Sequence, residues 1–141
     1  MSPVHWLFGD QLGPHFTATA AGGTPRNTRW LLIESRAVFR RRRFHRAKAH
    51  LVLSAMRHRA ADLGGSALYV TAETYREGLA RAAGTDPISV HHPTSRAALA
   101  LVTSLPQVTV HPARGFLVGH REFADWAARQ SGRRLLQENF Y

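Results

Sequence analysis

The sequence contains no cysteine. A disulfide framework, a thiolate zinc site and an iron–sulfur cluster held by this chain are therefore excluded, because each depends on cysteine sulfur. The sequence also lacks an apolar run of roughly 18 residues, the length that would predict a membrane-spanning helix. Its first residues carry neither the basic leader nor the apolar core of a secretion signal, so we expect a cytoplasmic protein.

The common glycine-rich phosphate cradles are missing as well. Neither the dinucleotide pattern G-x-G-x-x-G nor the nucleotide triphosphate pattern G-x-x-x-x-G-K-[ST] occurs, and the turn around Gly9 has too few glycines to replace them. The serine elbow G-x-S-x-G is also absent. The motifs thus indicate neither hydrolytic nor redox catalysis by this chain alone.

Acidic residues are few, and lysine is nearly absent. The net charge is +10, and 18 of the 19 cationic side chains are arginine. Such a balance favours anionic partners, which include nucleic acid, phosphates and acidic protein surfaces. An arginine-rich codon bias explains the same composition, so both interpretations stay open.

Short apolar segments alternate with helical patterns over the whole length. The predicted strands are 4–8, 29–34, 67–70, 88–90 and 108–110, and the predicted helices are 42–63, 74–83, 95–104 and 120–130, with a loop at 17–27. The stripe Ala49, Leu53, Met56, Ala60 and Leu63 supports the longest helix. Strands that alternate with helices predict a five-stranded parallel sheet of the doubly wound, Rossmann-like α/β class.

Polar side chains follow three of these strands. Asp10 follows the first, Glu34 closes the second, and His91-His92 follow the fourth. Because ligands of such sheets bind beyond the carboxyl ends of the strands, we expect Asp10 and Glu34 to hold hydroxyls or the polar edge of a heterocycle. A turn cap for Asp10 and a salt bridge for Glu34 are the alternatives. For the histidines a solvated loop is favoured, and no metal site is predicted.

A strongly basic segment occupies residues 36–48, where seven of thirteen side chains are cationic. The long helix is predicted to begin inside it, and cations at a helix start oppose the helix dipole. Binding to a nucleic acid through Arg40, Arg41, Arg42 and Arg43 would relieve this repulsion, with Phe39 and Phe44 as stacking surfaces. The alternative is an ordinary solvated face.

Several motifs together resemble a known family. They are Gly9-Asp10-Gln11-Leu12, Leu32-Ile33-Glu34-Ser35, His45 and Lys48 before Leu53-Ser54-Ala55-Met56-Arg57-His58, and a tail with Phe116, Glu122-Phe123, Trp126-Ala127 and Glu138-Asn139-Phe140-Tyr141. They are similar to the N-terminal α/β domain of the deoxyribodipyrimidine photolyase-related proteins, the iron–sulfur bacterial cryptochromes and (6-4) photolyases. The resemblance spans essentially the whole chain.

This resemblance implies a function. In the family the α/β domain binds an antenna chromophore, typically 6,7-dimethyl-8-ribityllumazine, and passes excitation to a flavin in a C-terminal helical domain that also holds a four-iron cluster and the DNA-lesion site. The residues that match the chromophore site and its lid are Gly9, Asp10, Gln11, Glu34, Phe44, His45 and Lys48. Residues 1–132 would form the antenna domain and 133–141 would begin the linker to the helical domain, so this chain is expected to be non-catalytic and to hold no FAD or iron–sulfur cluster.

Three hypotheses follow. The first is an antenna domain that cooperates with a flavin domain in blue-light DNA repair or signalling. The second is a nucleic-acid- or partner-binding module that kept the fold and lost the chromophore. The third is a small enzyme that uses a nucleotide-like substrate at the Asp10 and Glu34 rim.

Overall fold

The structure is a computed structural model that describes residues 2–18, 25, 27–41, 44–130, 138 and 140. Strands and helices alternate along the chain. Their bounds are β1 Val4–Leu7, α1 Pro14–Thr17, β2 Arg29–Ser35, α2 Arg36–Arg41, α3 Arg46–Leu63, β3 Ala67–Ala72, α4 Tyr75–Ala83, β4 Ile88–His91, α5 Arg96–Thr103, β5 Val108–His111 and α6 His120–Ala128. A single 3-10 turn, Gly64–Ser66, joins α3 to β3.

The five strands form one sheet in the order β3-β2-β1-β4-β5, and every neighbouring pair is parallel. The predicted doubly wound parallel α/β sheet is therefore confirmed. The chain first builds outward from β1 through β2 to β3 and then crosses back to place β4 on the other side of β1. The order consequently reverses between β1 and β4.

Alternate residues of each strand face opposite sides of the sheet and fill two apolar cores. One core holds Trp6, Leu31 and Val90 under Leu79 of α4 and Val102 of α5. The second core lies on the opposite face. It holds Leu7, Trp30 and Leu32 under Met56 of α3 and Phe16 of α1. Central strands buried on both faces explain the nearly continuous apolar run of β2.

Side-chain caps and two left-handed glycines set the ends of the helices. Thr74 accepts a hydrogen bond from Glu77 N at the start of α4, and Ser95 accepts one from Ala98 N at the start of α5. Gly64 and Gly84 end α3 and α4 at φ values of +56° and +57°, which favour glycine. These ends match the predicted ones because capping residues and glycines are visible in the sequence.

The predicted helix 42–63 is wrong at its start. Phe44 and His45 are not helical, and the residues Arg36–Arg41 form the separate helix α2. His45 has extended backbone angles, and its ring nitrogen Nδ1 accepts from Ala47 N at 3.2 Å, so it caps α3 as a new helix. The predicted apolar stripe is confirmed from Leu53 to Leu63, since Met56 is buried and Leu53, Ala60 and Leu63 pack around it, whereas Ala49 is not part of this core.

The other predicted elements agree with the structure to within two residues at each end. Helix α1 was not predicted, and it begins at the first residue after Gly13, with proline in its first turn. Of the predicted loop 17–27, residues 19–24 and 26 lie outside the described residues. No helix in the described ranges is both long and apolar enough to cross a membrane.

Candidate functional site

A cavity of about 260 Å³ lies at the carboxyl ends of β1, β4 and β5. It occupies the crevice between β1 and β4, where the strand order reverses and ligands of doubly wound sheets usually bind. Three loops contribute to it: the one after β1, the one after β4 and the one after β5. Its walls are Asp10, Gln11, His15, Phe16, His92, Thr94, Ala113, Gly115 and Phe116.

Asp10 supplies the negative charge of this cavity. The residue is exposed, and its Oδ2 accepts a hydrogen bond from the Thr94 hydroxyl across the crevice. Within the described part of the chain no donor contacts its other oxygen. A carboxylate with one free oxygen at the mouth of a cavity can accept hydrogen bonds from a ligand.

Gln11 links the two strand ends that border the crevice. Its side chain is 1% exposed, and its Oε1 accepts from Phe8 N at 3.4 Å. Its Nε2 lies 3.3 Å from both the His91 and the His92 carbonyl oxygens, to which it donates. Gln11 therefore ties the end of β1 to the end of β4, and its amide hydrogens are already used.

Aromatic rings form the apolar walls. Phe16 is buried, whereas Phe116 is 60% exposed. The His15 ring packs against Phe16 with centroids 4.3 Å apart, and the His92 ring lies 4.2 Å from that of His120. Aromatic side chains in the wall of a cavity offer stacking surface to a flat aromatic ligand.

Arg114 fixes the loop after β5 against α1. Its Nη1 donates to the carbonyl oxygens of His15 at 2.9 Å and Ala18 at 2.7 Å. Beside it, a Cβ added to Gly115 would lie 3.5 Å from Phe16 Cζ. These two hydrogen bonds from one guanidinium thus fix the position of the loop that carries Phe116 relative to α1, which carries Phe16.

Glu34 lies apart from this cavity. β1 and β2 are neighbours, as expected, but the order reverses between β1 and β4, so the second carboxylate of the predicted rim is not in the crevice. Its Oε2 accepts from Tyr69 OH at 2.7 Å and from Arg57 Nη2 at 2.9 Å. The salt bridge that the sequence offered as the alternative is present.

The electrostatics of Glu34 follow from these contacts. Burial by itself would raise the pKa of the carboxyl group, but the hydrogen bonds from Tyr69 and Arg57 outweigh it and lower the pKa below its usual range. Burial raises the pKa of Tyr69, and the hydrogen bond to Glu34 adds to this effect. Glu34 is therefore ionised, and its ion pair with Arg57 attaches α3 to the end of β2.

The remaining residues predicted for the chromophore lie around the start of α3. Lys48 Nζ lies 5.4 Å from the centre of the Phe44 ring, which packs against Phe39 at 5.1 Å, and His45 caps the helix. A Cβ on Gly9 would lie 3.1 Å from Val52 Cγ1, so this glycine lets α3 approach the end of β1. None of these side chains lines the cavity.

The basic run is placed differently from its prediction. Arg40 and Arg41 occupy the last turn of α2, where cations favour the helix dipole, so the argument from dipole repulsion is wrong for them. Arg40 forms an exposed ion pair with Glu73 at 2.6 Å. Arg42 and Arg43 lie outside the described residues.

A histidine cluster that the sequence did not predict lies on the α1 and α3 side of the sheet. The ring centroids of His5, His91 and His111 are 4.7 to 6.3 Å apart. His91 is the last residue of β4 rather than part of a solvated loop, and its Nδ1 lies 3.2 Å from the Pro112 carbonyl oxygen. Burial lowers the pKa of His91. In the described part of the chain no group of three or more such side chains could hold a metal ion.

A second concave region, of about 360 Å³, lies on α3 and is lined by His50, Leu53, Ser54, Arg57 and His58. All five residues belong to one helix, so this region is an open groove of the surface. The crevice instead collects side chains from three loops at a switch point. The crevice is therefore the better candidate for a ligand site.

These features place the chain among the doubly wound α/β domains, whose ligands bind at the switch point of a parallel sheet. The sequence profile described as deoxyribodipyrimidine photo-lyase-related protein matches residues 5–141. The chain therefore belongs to this family. No curated protein matches the sequence significantly.

Most of the cavity walls were not predicted from the sequence. Asp10 was, because a Gly-Asp turn after a buried strand marks a strand end, and Gln11 was expected from the family resemblance alone. Thr94 follows β4 by only a few residues, so strand order would have identified it. Phe16 and Phe116 gave no comparable signal, since isolated aromatic residues in turn-rich segments are not specific.

Proposed function

We propose that this chain is the antenna domain of a photolyase-related protein and binds a flavin-precursor chromophore such as 6,7-dimethyl-8-ribityllumazine in the crevice between β1 and β4. The observation that carries the proposal is one cavity that combines the free oxygen of Asp10 with the aromatic walls Phe16 and Phe116. Membership of the photolyase-related family supports it.

The size of the crevice suits part of such a ligand. Pockets for small molecules usually measure about 300–1,000 Å³, and this one measures about 260 Å³. We propose that a bicyclic ring contacts the aromatic walls with its N–H edge towards Asp10, while the hydroxyl-bearing ribityl chain extends past His15 or His92 towards solvent. This side chain set supplies a hydrogen-bond acceptor and stacking surfaces, which are what that ring requires.

The excited state needs an acceptor outside this sequence. An iron–sulfur cluster does not fit the chain, because cysteine is absent. We propose that a helical domain with FAD, joined in cis or bound in trans, receives the excitation, as in the iron–sulfur cryptochrome and (6-4) photolyase subgroup. Repair or signalling would then be the task of that partner.

Titration of the chain with the lumazine, followed by its fluorescence, tests the proposal. We expect saturable binding, and Asp10→Asn should weaken it about tenfold or more, because a hydrogen bond to a charged group contributes roughly 1.5–3 kcal/mol. Glu34→Gln is the matched control, since it neutralises the carboxylate that lies outside the crevice, and it should leave binding unchanged.

Two results would contradict the proposal. If Glu34→Gln loses binding and Asp10→Asn does not, the ligand binds at the end of β2, beside the second carboxylate that the sequence indicated. No saturable binding at tens of micromolar would favour a module that kept the fold and lost the chromophore.

A further inference from the structure

One side of the molecule, formed by α2 and α3, is strongly basic. We call it the α2–α3 surface, and its exposed arginine, lysine and histidine members are Arg36, Arg40, Arg41, Arg46, Lys48, His50, Arg57 and His58. In the described part of the chain its acidic residues are Glu34 and Glu73, which pair with its arginines, and the exposed Asp62 near the end of α3. The surface therefore carries a clear excess of positive charge.

Several of these cations are not used by the fold. Arg40 and Arg57 form ion pairs, but the side chains of Arg41, Arg46 and Lys48 make no hydrogen bond or ion pair with any described residue. Elsewhere arginines do hold the structure together. Arg59 donates to Thr17, Arg76 to Ser104 and Arg114 to two carbonyls.

The geometry of the surface suits an extended polyanion. Arg46, His50 and Arg57 are four and seven residues apart, so they lie along one side of the straight helix α3 over about 16 Å. The first turn of α3 contains cations and no acidic residue, which is unfavourable unless an anion lies nearby. Lys48 extends the charge over the paired rings of Phe39 and Phe44.

An acidic protein is a poorer match than a nucleic acid. Stable protein interfaces are anchored by buried apolar and aromatic side chains. Of the large apolar side chains that are exposed in the described ranges, only Leu51 lies on this surface, whereas Phe116, Leu117 and Phe123 lie after β5. Binding to a phosphate backbone needs no such anchor, because counterion release drives it.

We propose that the α2–α3 surface binds the phosphate backbone of nucleic acid, without preference for sequence or damage. The interaction belongs to the α/β domain itself. It does not use the crevice between β1 and β4, so its test does not depend on whether that crevice binds a chromophore. Its strength should decrease steeply with salt, since each phosphate contact releases counterions.

The test measures binding of an undamaged DNA duplex at several salt concentrations by fluorescence anisotropy. The variant Arg41→Gln, Arg46→Gln, Lys48→Gln removes three uncommitted cations. The matched control, Arg96→Gln, Arg121→Gln, Arg129→Gln, removes three exposed cations from α5, α6 and the residue after α6, so both variants have the same net charge. Glutamine has a high helix propensity, so both variants should fold, and circular dichroism would check this.

We expect the first variant to flatten the slope of log K against log salt by up to about 2.7, that is about 0.9 for each lost phosphate contact. The control should keep the slope of the parent. Equal losses in both variants would show that net charge alone attracts DNA, and absence of binding by the parent at low salt would also overturn the proposal. Displacement of the duplex by polyglutamate at the same charge concentration would assign the surface to acidic proteins instead.

Discussion

His5 predicts a specific acid sensitivity of the fold. The residue is 7% exposed at the centre of β1, and its Nδ1 lies 2.7 Å from Ser89 Oγ. Because the Ser89 hydroxyl donates to the Val4 carbonyl oxygen at 3.3 Å, the hydrogen between His5 and Ser89 belongs to Nδ1. Nε2 is then unprotonated, and it is buried with no hydrogen-bond partner among the residues that the structure describes.

This environment opposes protonation. The pKa of His5 is lowered from 6.5 to about 3, with burial as the largest cause and the charges of His91, His111 and Arg114 as smaller ones. In the unfolded chain His5 takes up its proton near its ordinary pKa, whereas the folded chain does so only near pH 3. The unfolded state therefore binds more protons between these values, and the free energy of unfolding decreases as the pH falls below 6.5.

The size of the effect follows from the two pKa values. Each pH unit in this window lowers the free energy of unfolding by about 1.4 kcal/mol. Between pH 7.5 and pH 5 the loss through His5 amounts to about 2 kcal/mol. Domains of this size have a stability of roughly 5–15 kcal/mol, so the change is large enough to measure.

Urea unfolding at pH 7.5 and pH 5 checks the prediction. His5→Gln lowers stability at both values but removes the ionisable ring, so its loss between the two should be smaller than that of the parent by about 2 kcal/mol. The His5→Gln variant should still lose some unfolding free energy between pH 7.5 and pH 5, because burial also lowers the pKa of His91. His58→Gln, at an exposed position of α3, is the control and should lose as much as the parent. If His5→Gln also loses as much as the parent, the buried neutral His5 is not the cause.

Two further changes test the packing. Arg114→Gln should speed hydrogen exchange of the amides in 113–119, because it removes the two contacts that tie this loop to α1, and unchanged exchange would refute that tie. Gly78→Ala should lower the free energy of unfolding by about 1–3 kcal/mol, less a helix-propensity gain of about 1 kcal/mol, since the new Cβ would lie 2.5 Å from Ile33 Cγ2. Gly65→Ala, where a Cβ meets open space, is the control, and equal stability of the two variants in thermal unfolding would contradict the close approach of α4 to β2.

The sheet could be predicted because local sequence signals mark its parts. The run around Leu31 indicates a buried central strand, and Gly64 and Gly84 mark helix ends. The break between α2 and α3 could not be predicted in the same way. Arginine favours helix, so the predicted helix 42–63 began inside the basic run and the separate helix α2 was not predicted. Histidine, which caps α3 at His45, is also not a usual cap residue.

The candidate site was harder to predict because it depends on strand order. Asp10 follows β1, and the sequence paired it with Glu34 because the two strands are consecutive. The crossover places β4 beside β1 on the other side, so Asp10 meets Thr94 instead. Chain order gives the sequence of strands but not the side on which each one is added, and that choice determines which loops share the crevice.

The strands β4 and β5 contain a signal that connects the histidine cluster with the fold. Both alternate strictly: Ile88, Val90, Val108 and Val110 face the α4 and α5 core, and Ser89, His91, Thr109 and His111 face the other side. A parallel strand covered on both faces would be apolar throughout. The alternation means that this half of the sheet uses polar contacts on one face, where Ser89 orders His5 and Pro112 orders His91. The histidine rings beside the crevice are thus held by hydrogen bonds rather than by an apolar layer. Protonation of His5 would disturb these contacts, and we therefore expect it to lower the stability of the whole sheet.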